Sequence, residues 1–278
     1  MTLGAVLRRA NEHLAARGSE TPRLDAELLL AHALGRSRIE LYTDLDRPLN
    51  ADELPVAVEL VARRSRHEPV AYILGEWGFR RLTLKVDRRA LIPRPETEMV
   101  VERCLALLRG TAAPAVIDVG TGSGAIALAL ADEHPGARVT GIDVSPDAVA
   151  LARENALRAP APVELLEHDL LEGLPGGPYD LVVSNPPYVA AEELAHLMPD
   201  VRDWEPHVAL VGEGVTEAVA ANAIRALRPG GWLVLEVGDG QAPETVALLE
   251  RLGYRDPRVT PDLAGRDRVV EARWPGTG

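Results

Sequence analysis

Along the first 75 residues the apolar positions keep helical spacing. Leu3, Val6, Leu7, Ala10 and Leu14 fall on one face, and Gly18 follows as a stop. Pro22 opens a second helix with Leu24, Leu28, Leu29 and Ala33 on one side, and Gly35 closes it. A short third helix is predicted over 38–42. "NADE" (50–53) reads as a capping box for a fourth, running to about residue 67. The pattern is that of a small all-α bundle with short loops.

The period then changes. Over 77–87, Leu82, Leu84 and Val86 alternate with polar residues, which predicts a hairpin. "LIPRPETE" (91–98) follows, irregular at its start, with Pro95 expected in the first turn of a helix to about residue 109. From residue 115 onward strands and helices take turns. Strands are predicted at 116–119, 138–142, 163–166, 180–184, 232–237, 254–260 and 268–273, with helices between the first five, such as 125–133 and 146–157. This alternation specifies an α/β, mostly parallel seven-stranded sheet with helices on both faces. The last two strands, with no helix between them, predict an antiparallel hairpin at one edge. Three segments are expected: a helical bundle over 1–75 for substrate recognition, a hairpin linker over 76–90 and a catalytic domain over 91–278.

Composition narrows the partners. The 278 residues suit about two domains at roughly 150 residues each. Thirty basic against 42 acidic residues leave a net charge of −12, which argues against phosphate-rich partners. The single cysteine, Cys104, lies on the apolar side of its helix and is read as a small buried hydrophobe. It excludes an internal disulfide. No signal peptide and no apolar run near ~20 residues stand out, so the cytoplasm is the expected location. Seven histidines are scattered without ligand spacing, and no metal is expected.

The candidate chemistry sits at strand ends. "VIDVGTGSGAIALAL" (116–130) is a strand, a glycine turn and a helix start. Gly120, Thr121, Gly122, Ser123 and Gly124 would let a ligand come close to backbone N–H groups at a helix N-terminus. Asp143 ends the second strand, where a carboxylate can accept from two ribose hydroxyls. Asp169 and Leu170, after the third strand, are placed to line an adenine. NAD and S-adenosylmethionine both use this layout. Ala125 stands where the dinucleotide fingerprint has its third glycine, a variant that fingerprint tolerates, and Asp118 before the turn suits the methyl donor, either holding the turn or facing the cofactor's cationic end.

The fourth strand ends in "SNPPY" (184–188). The amide oxygen of Asn185 and the Pro186 backbone C=O make two acceptors at one stiff corner, which suits a planar NH₂ group with two hydrogens to give. Pro187 helps fix that backbone carbonyl, and Tyr188 is expected to supply a flat wall. Such a corner orients a weakly nucleophilic nitrogen for methyl transfer without a strong base. Glycine turn, acid and "NPPY" together resemble the amino-methyltransferases that use S-adenosylmethionine. DNA adenine, rRNA guanine and protein glutamine all remain open as the amine.

The flanking stretches "HEPVAYILGEWGF", "LIPRPETE", "VSNPPYV", "DVRDWEPHVALVG" and "GRDRVVEAR" resemble, in order over nearly the whole chain, the HemK-type protein-(glutamine-N5) methyltransferase family. The resemblance implies a Rossmann-like class I methyltransferase behind an all-α N-terminal bundle. It also implies methylation of the glutamine in the Gly-Gly-Gln motif of peptide chain release factors. A monomer acting on these factors, without nucleic acid or membrane, is the expectation. Carried over by position, the cofactor residues are Gly120 to Gly124, Asp143, Leu170 and Asn185. The substrate and catalytic corner is Asn185, Pro186, Pro187 and Tyr188. The sequence departs from the family in having Leu170 where some relatives have an aromatic residue, and in lacking an Asp-Gly pair in "VGEGVTE" (211–217). Arg94, Glu96, Arg202 and Glu205 are candidates for a loop over the pocket, or for ordinary structural pairing.

Overall fold

A computed structural model describes residues 1–159 and 162–276. The protein folds as two compact units, one of residues 1–76 with 198–204, the other of residues 77–197 with 205–278.

In the first unit, α1 (Leu3–Ala16), α2 (Pro22–Ala33), α3 (Arg38–Tyr42), α4 (Glu53–Arg64) and the short α5 (Val70–Leu74) pack together. The face of α1 is the one the spacing predicts: Leu3, Val6, Ala10 and Leu14 are buried. Asn50 and Glu53 exchange reciprocal bonds, Glu53 N to Asn50 Oδ1 at 2.8 Å and Asn50 N to Glu53 Oε2 at 3.0 Å, as a capping box should. The predicted face of α2 is only partly right: Leu29 is buried as expected, and Leu28 and Ala33 are half-buried. Leu24 is exposed, and the helix also buries Ala26, Leu30 and Ala31 together with Asp25 and Glu27. Those carboxylates can go inside because each is matched: Asp25 by Arg64 Nε at 2.7 Å and by the Ser19 and Thr21 hydroxyls, Glu27 by Arg23, Arg38 and Tyr42. Helix α5 was not predicted, being a single apolar turn closed by left-handed Gly75. The brief α9 (Pro199–Arg202) also belongs to this unit.

The second unit contains a hairpin, β1 (Glu76–Phe79) and β2 (Leu82–Lys85), then α6 (Thr97–Leu107). It continues with β3 (Ala115–Val119), α7 (Ala125–Glu133), β4 (Arg138–Asp143), α8 (Pro146–Ala156), β5 (Glu164–Glu167) and β6 (Tyr179–Ser184). It ends with α10 (Val215–Ala226), β7 (Leu227–Glu236), α11 (Ala242–Arg251), β8 (Arg255–Pro261) and β9 (Asp267–Arg273). The seven-stranded sheet has the order β5-β4-β3-β6-β7-β9-β8, parallel through β7 and antiparallel for β9 and β8. Both the alternation and the terminal hairpin match the prediction.

Strand β6 is buried at all six positions, which is why "YDLVVS" shows no polar alternation: it has a helical layer on each side. Val116, Leu181, Val183 and Val234 face α6 and α7, while Ile117, Val119, Val182 and Leu233 face α10 and α11. Burial of each such residue contributes about 1.5–3 kcal/mol. The order of strands reverses at β3, whose neighbours are β4 on one side and β6 on the other. Helices leave to opposite faces there, and a crevice opens beyond the carboxyl ends of these strands.

Candidate active site

A cavity of about 440 Å³ lies in that crevice. Its walls come from the β3–α7 turn, the ends of β4, β5 and β6, the loop before α6, and the segment leading into α10. The size falls within the usual range for small-molecule pockets.

The glycine turn is held from below and from the side. Asp118, fully buried, accepts from Thr121 Oγ1 at 2.7 Å and from Ala127 N at 3.2 Å, which pins the turn to the first coil of α7. Burial pushes its carboxyl up to about 7. Of the two roles predicted for Asp118, the geometry is that of holding the turn; it does not line the cavity. Gly120 N and Thr121 N both donate to Ile142 O, at 2.9 and 2.8 Å. Gly124 is left-handed at φ +84°, and a Cβ there would crowd Leu128 and Ala152 at 3.1 and 3.3 Å, so it serves the turn and the packing. Gly120, Thr121, Gly122 and Ser123 reach the cavity; Gly124 does not.

Asp143 lies on the wall. Its Oδ2 accepts from Gly122 N and its Oδ1 from Ser145 N, each at 2.9 Å. Each carboxylate oxygen keeps a further lone pair for a ligand hydroxyl. Burial raises this carboxyl above its ordinary range, and the backbone N–H groups of Ser145, Gly122 and Val144 oppose that shift. Leu170 lies further along, with its carbonyl held by Asn222 Nδ2 at 3.2 Å, and Asp169 beside it accepts from Leu171 N. Carboxylate acceptor, apolar wall and open backbone turn fit the parts of S-adenosylmethionine: ribose, adenine and the charged amino-acid end.

At the end of β6, Asn185, Pro186 and Pro187 line the same cavity. Three attachments hold this corner still. Ser184, which reads as an ordinary strand residue, is buried and donates to Val119 O at 2.7 Å, joining β6 to β3 just where their ladder ends. Asn185 Nδ2 donates to Thr97 Oγ1 at 3.3 Å. Gln241 Nε2 donates to Tyr188 O at 2.9 Å, while its own Oε1 accepts from Gly238 N. Tyr188 does not line the cavity; its ring lies against Gly238, where an added Cβ would come within 3.0 Å of Cδ2.

Above the cavity, Arg94 Nη2 meets Glu205 Oε1 at 2.5 Å, and Glu205 Oε2 accepts from Ile92 N at 3.2 Å. The Glu205 side chain is 1% exposed, so this pair staples the proline-rich loop to the segment after β6. Glu96 is exposed and precedes α6, and Arg202 pairs with the adjacent Asp203. Among the described residues no three or more His, Cys, Asp or Glu are grouped so as to hold a metal ion, and no helix is long and apolar enough to cross a membrane.

Residues 5–75 match the family model described as the PrmC N-terminal domain, and residues 99–199 match the methyltransferase small domain. The release factor glutamine methyltransferase of Geobacter sulfurreducens is 45% identical over 276 residues, covering 98% of this chain and 96% of that one. The chain belongs to the release factor glutamine methyltransferase family. Members from Koribacter versatilis (40% identical, 99% of both chains) and Deinococcus radiodurans (42%, 99% of this chain and 100% of that one) match as completely. Members of this family are S-adenosylmethionine-dependent. Two solved structures share the fold at low identity. The hMettl16 catalytic domain in complex with MAT2A 3′UTR hairpin 6 has a TM-score of 0.58 at 16% identity, covering 78% of this chain and 82% of that one. A methyltransferase from Pyrococcus furiosus has a TM-score of 0.51 at 20% identity, covering 70% and 89%.

Sequence reasoning did not single out Thr97, Ser184, Gln241 or Glu236. Glu236 carried a usable signal, as the one acid in the apolar strand "WLVLEV".

Proposed function

We propose that this protein methylates the side-chain amide nitrogen of the glutamine in the Gly-Gly-Gln motif of peptide chain release factors, in the cytoplasm and as a monomer. The observation that carries the reading is the corner Asn185–Pro187, rigidly attached and facing the same cavity as the glycine turn and Asp143. Full-length relatives of that activity support the substrate.

In this reading Asp143 holds the ribose, Leu170 covers the adenine, and the turn from Gly120 to Ser123 faces the amino-acid end. When bound, S-adenosylmethionine supplies an electrophilic methyl on a sulfonium, leaving neutral S-adenosylhomocysteine. Asn185 Oδ1 and Pro186 O accept the two hydrogens of the incoming amide. That draws electron density back onto nitrogen and holds its face toward the methyl donor. Positive charge develops on nitrogen beside the two acceptors as the N–C bond forms, and one of its hydrogens is then lost to water as a proton. The work is orientation by fixed dipoles, and no metal enters it.

The test is labelled S-adenosylmethionine offered with a release factor, the factor's Gln→Ala variant, rRNA and DNA. Label on the native factor alone is expected. Label on rRNA or DNA would replace this reading with that of a nucleic-acid amino-methyltransferase, against which the −12 charge argues.

A further inference from the structure

Two prolines follow Asn185, and each ring holds its own φ at about −65°. Asn185 and Pro186 each precede a proline and are steered to extended backbone. Few free torsions remain between the end of β6 and the next anchored point of the chain. Among the described residues no hydrogen bond ends on Pro186 O, so those torsions alone aim it.

The next anchored point is the peptide unit between Tyr188 and Val189. Its C=O accepts from Gln241 Nε2 at 2.9 Å, and its N–H donates to Leu210 O at 3.0 Å. The two groups share one plane and point in opposite directions within it. A plane held at both edges cannot turn without breaking one of the bonds. Leu210 reaches it from the segment before α10, and Gln241 from the turn between β7 and α11.

Gln241 is itself fixed. Its N donates to Gly238 O at 3.2 Å, and its O accepts from Thr245 N at 3.1 Å and from Thr245 Oγ1 at 3.0 Å. The side chain folds back so that Oε1 accepts from Gly238 N at 3.1 Å. A backbone N–H only donates, which settles the amide: oxygen toward Gly238, nitrogen toward Tyr188 O. Gly238 puts no Cβ between them; one there would lie 2.9 Å from Gln241 Oε1 and 3.0 Å from Tyr188 Cδ2.

We propose that Gln241 is a positioning residue for methyl transfer: it holds the Tyr188–Val189 peptide plane and thereby sets the direction in which Pro186 O meets the incoming NH₂ group. Gln241 does not line the cavity, so it acts only through that plane. The effect on turnover rests on the methyl-transfer reading above; the fixing of the plane does not.

Two substitutions test this. Gln241→Met keeps the length and loses both side-chain bonds. Gln241→Glu keeps the shape and, at pH 8, the bond from Gly238 N, but sets an acceptor against Tyr188 O. The first readout needs no substrate: amide hydrogen exchange at Val189, at pH 8. It should be at least threefold faster in Gln241→Met than in the wild type, and faster still in Gln241→Glu. Exchange within threefold of the wild type in both variants would overturn the anchoring. The second is kinetic, measured on a release factor well below the Tm of each protein. One net hydrogen bond corresponds to about threefold to tenfold. Both variants should lose at least threefold in kcat, Gln241→Glu more than Gln241→Met, with KM and cofactor Kd within about threefold. A kcat within threefold of the wild type in either variant, or a loss matched in KM or cofactor Kd, would overturn the positioning role. If the wild type leaves the release factor unlabelled, the functional reading falls, and the exchange experiment still decides whether Gln241 holds the plane.

Discussion

Gly212 lies in the segment that enters α10, opposite the asparagine corner. Its φ is not left-handed, so space alone requires a glycine there. A Cβ at 212 would sit 2.3 Å from Pro187 Cγ and 2.6 Å from Pro187 O, where ordinary contact begins near 3.4 Å. In Gly212→Ala, one side must therefore retreat by about 1 Å. Neither gives freely. The loop is tied by Val189 N to Leu210 O at 3.0 Å and Val211 N to His207 O at 2.9 Å, and the corner by Ser184 and Gln241. Displacing a reacting group by about 1 Å costs roughly a hundredfold in rate, or about 2.7 kcal/mol in the barrier. The expected result is kcat about a hundredfold lower on a release factor, with overpacking reducing stability by about 1–3 kcal/mol. Single-turnover methylation, with unfolding measured in parallel, separates the two. A folded variant with kcat within about threefold of wild type would refute the close fit of loop to corner.

Asn185→Ala removes an orienting acceptor and should lower kcat about a hundredfold, on the order of 3 kcal/mol, while calorimetry finds cofactor Kd changed only a few-fold. An unchanged rate would contradict the orienting role of the corner. Arg94→Ala takes the cation from a carboxylate that is 1% exposed, and urea unfolding should show a loss of about 2–3 kcal/mol; no loss would mean the staple is idle. Asp118 and Glu236 are both raised by burial to about 7, above their unfolded values, so between about pH 5 and 7 the folded state binds more protons than the unfolded state. Stability from these groups is therefore present at low pH and lost as pH rises through 7, on the order of 3 kcal/mol each. Urea unfolding at pH 5.5 and 8 should show a smaller fall in Glu236→Gln than in wild type; an equal fall would remove Glu236 as a cause.

Much of the fold could be read from the sequence because the sheet is built from runs that are apolar for one reason, burial on both faces. Alternation supplied the order of elements, and the lone antiparallel hairpin followed from a missing helix. The buried face of α2 was only partly legible because Asp25 and Glu27 look like solvent residues until Arg64, Arg38 and Tyr42 arrive from other helices. The site divides in the same way. Gly120 to Ser123, Asp143, Leu170 and Asn185 to Pro187 sit at strand ends, where topology alone puts them in one crevice. Thr97, Gln241 and Gly212 act through neighbours distant in sequence, and nothing local marks such meetings. Tyr188 shows the opposite error: its place beside Pro187 suggested a wall, but its ring turns toward Gly238.

The bond from Ser184 to Val119 O joins two adjacent strands, one ending in the glycine turn and the other in the asparagine corner. Neighbouring strands stand about 4.8 Å apart whatever their side chains. The gap between the glycine turn and the asparagine corner is thus a property of the ladder, set before any rotamer is chosen. Loops around the crevice can be remodelled without moving the two strand ends on which the proposed transfer depends.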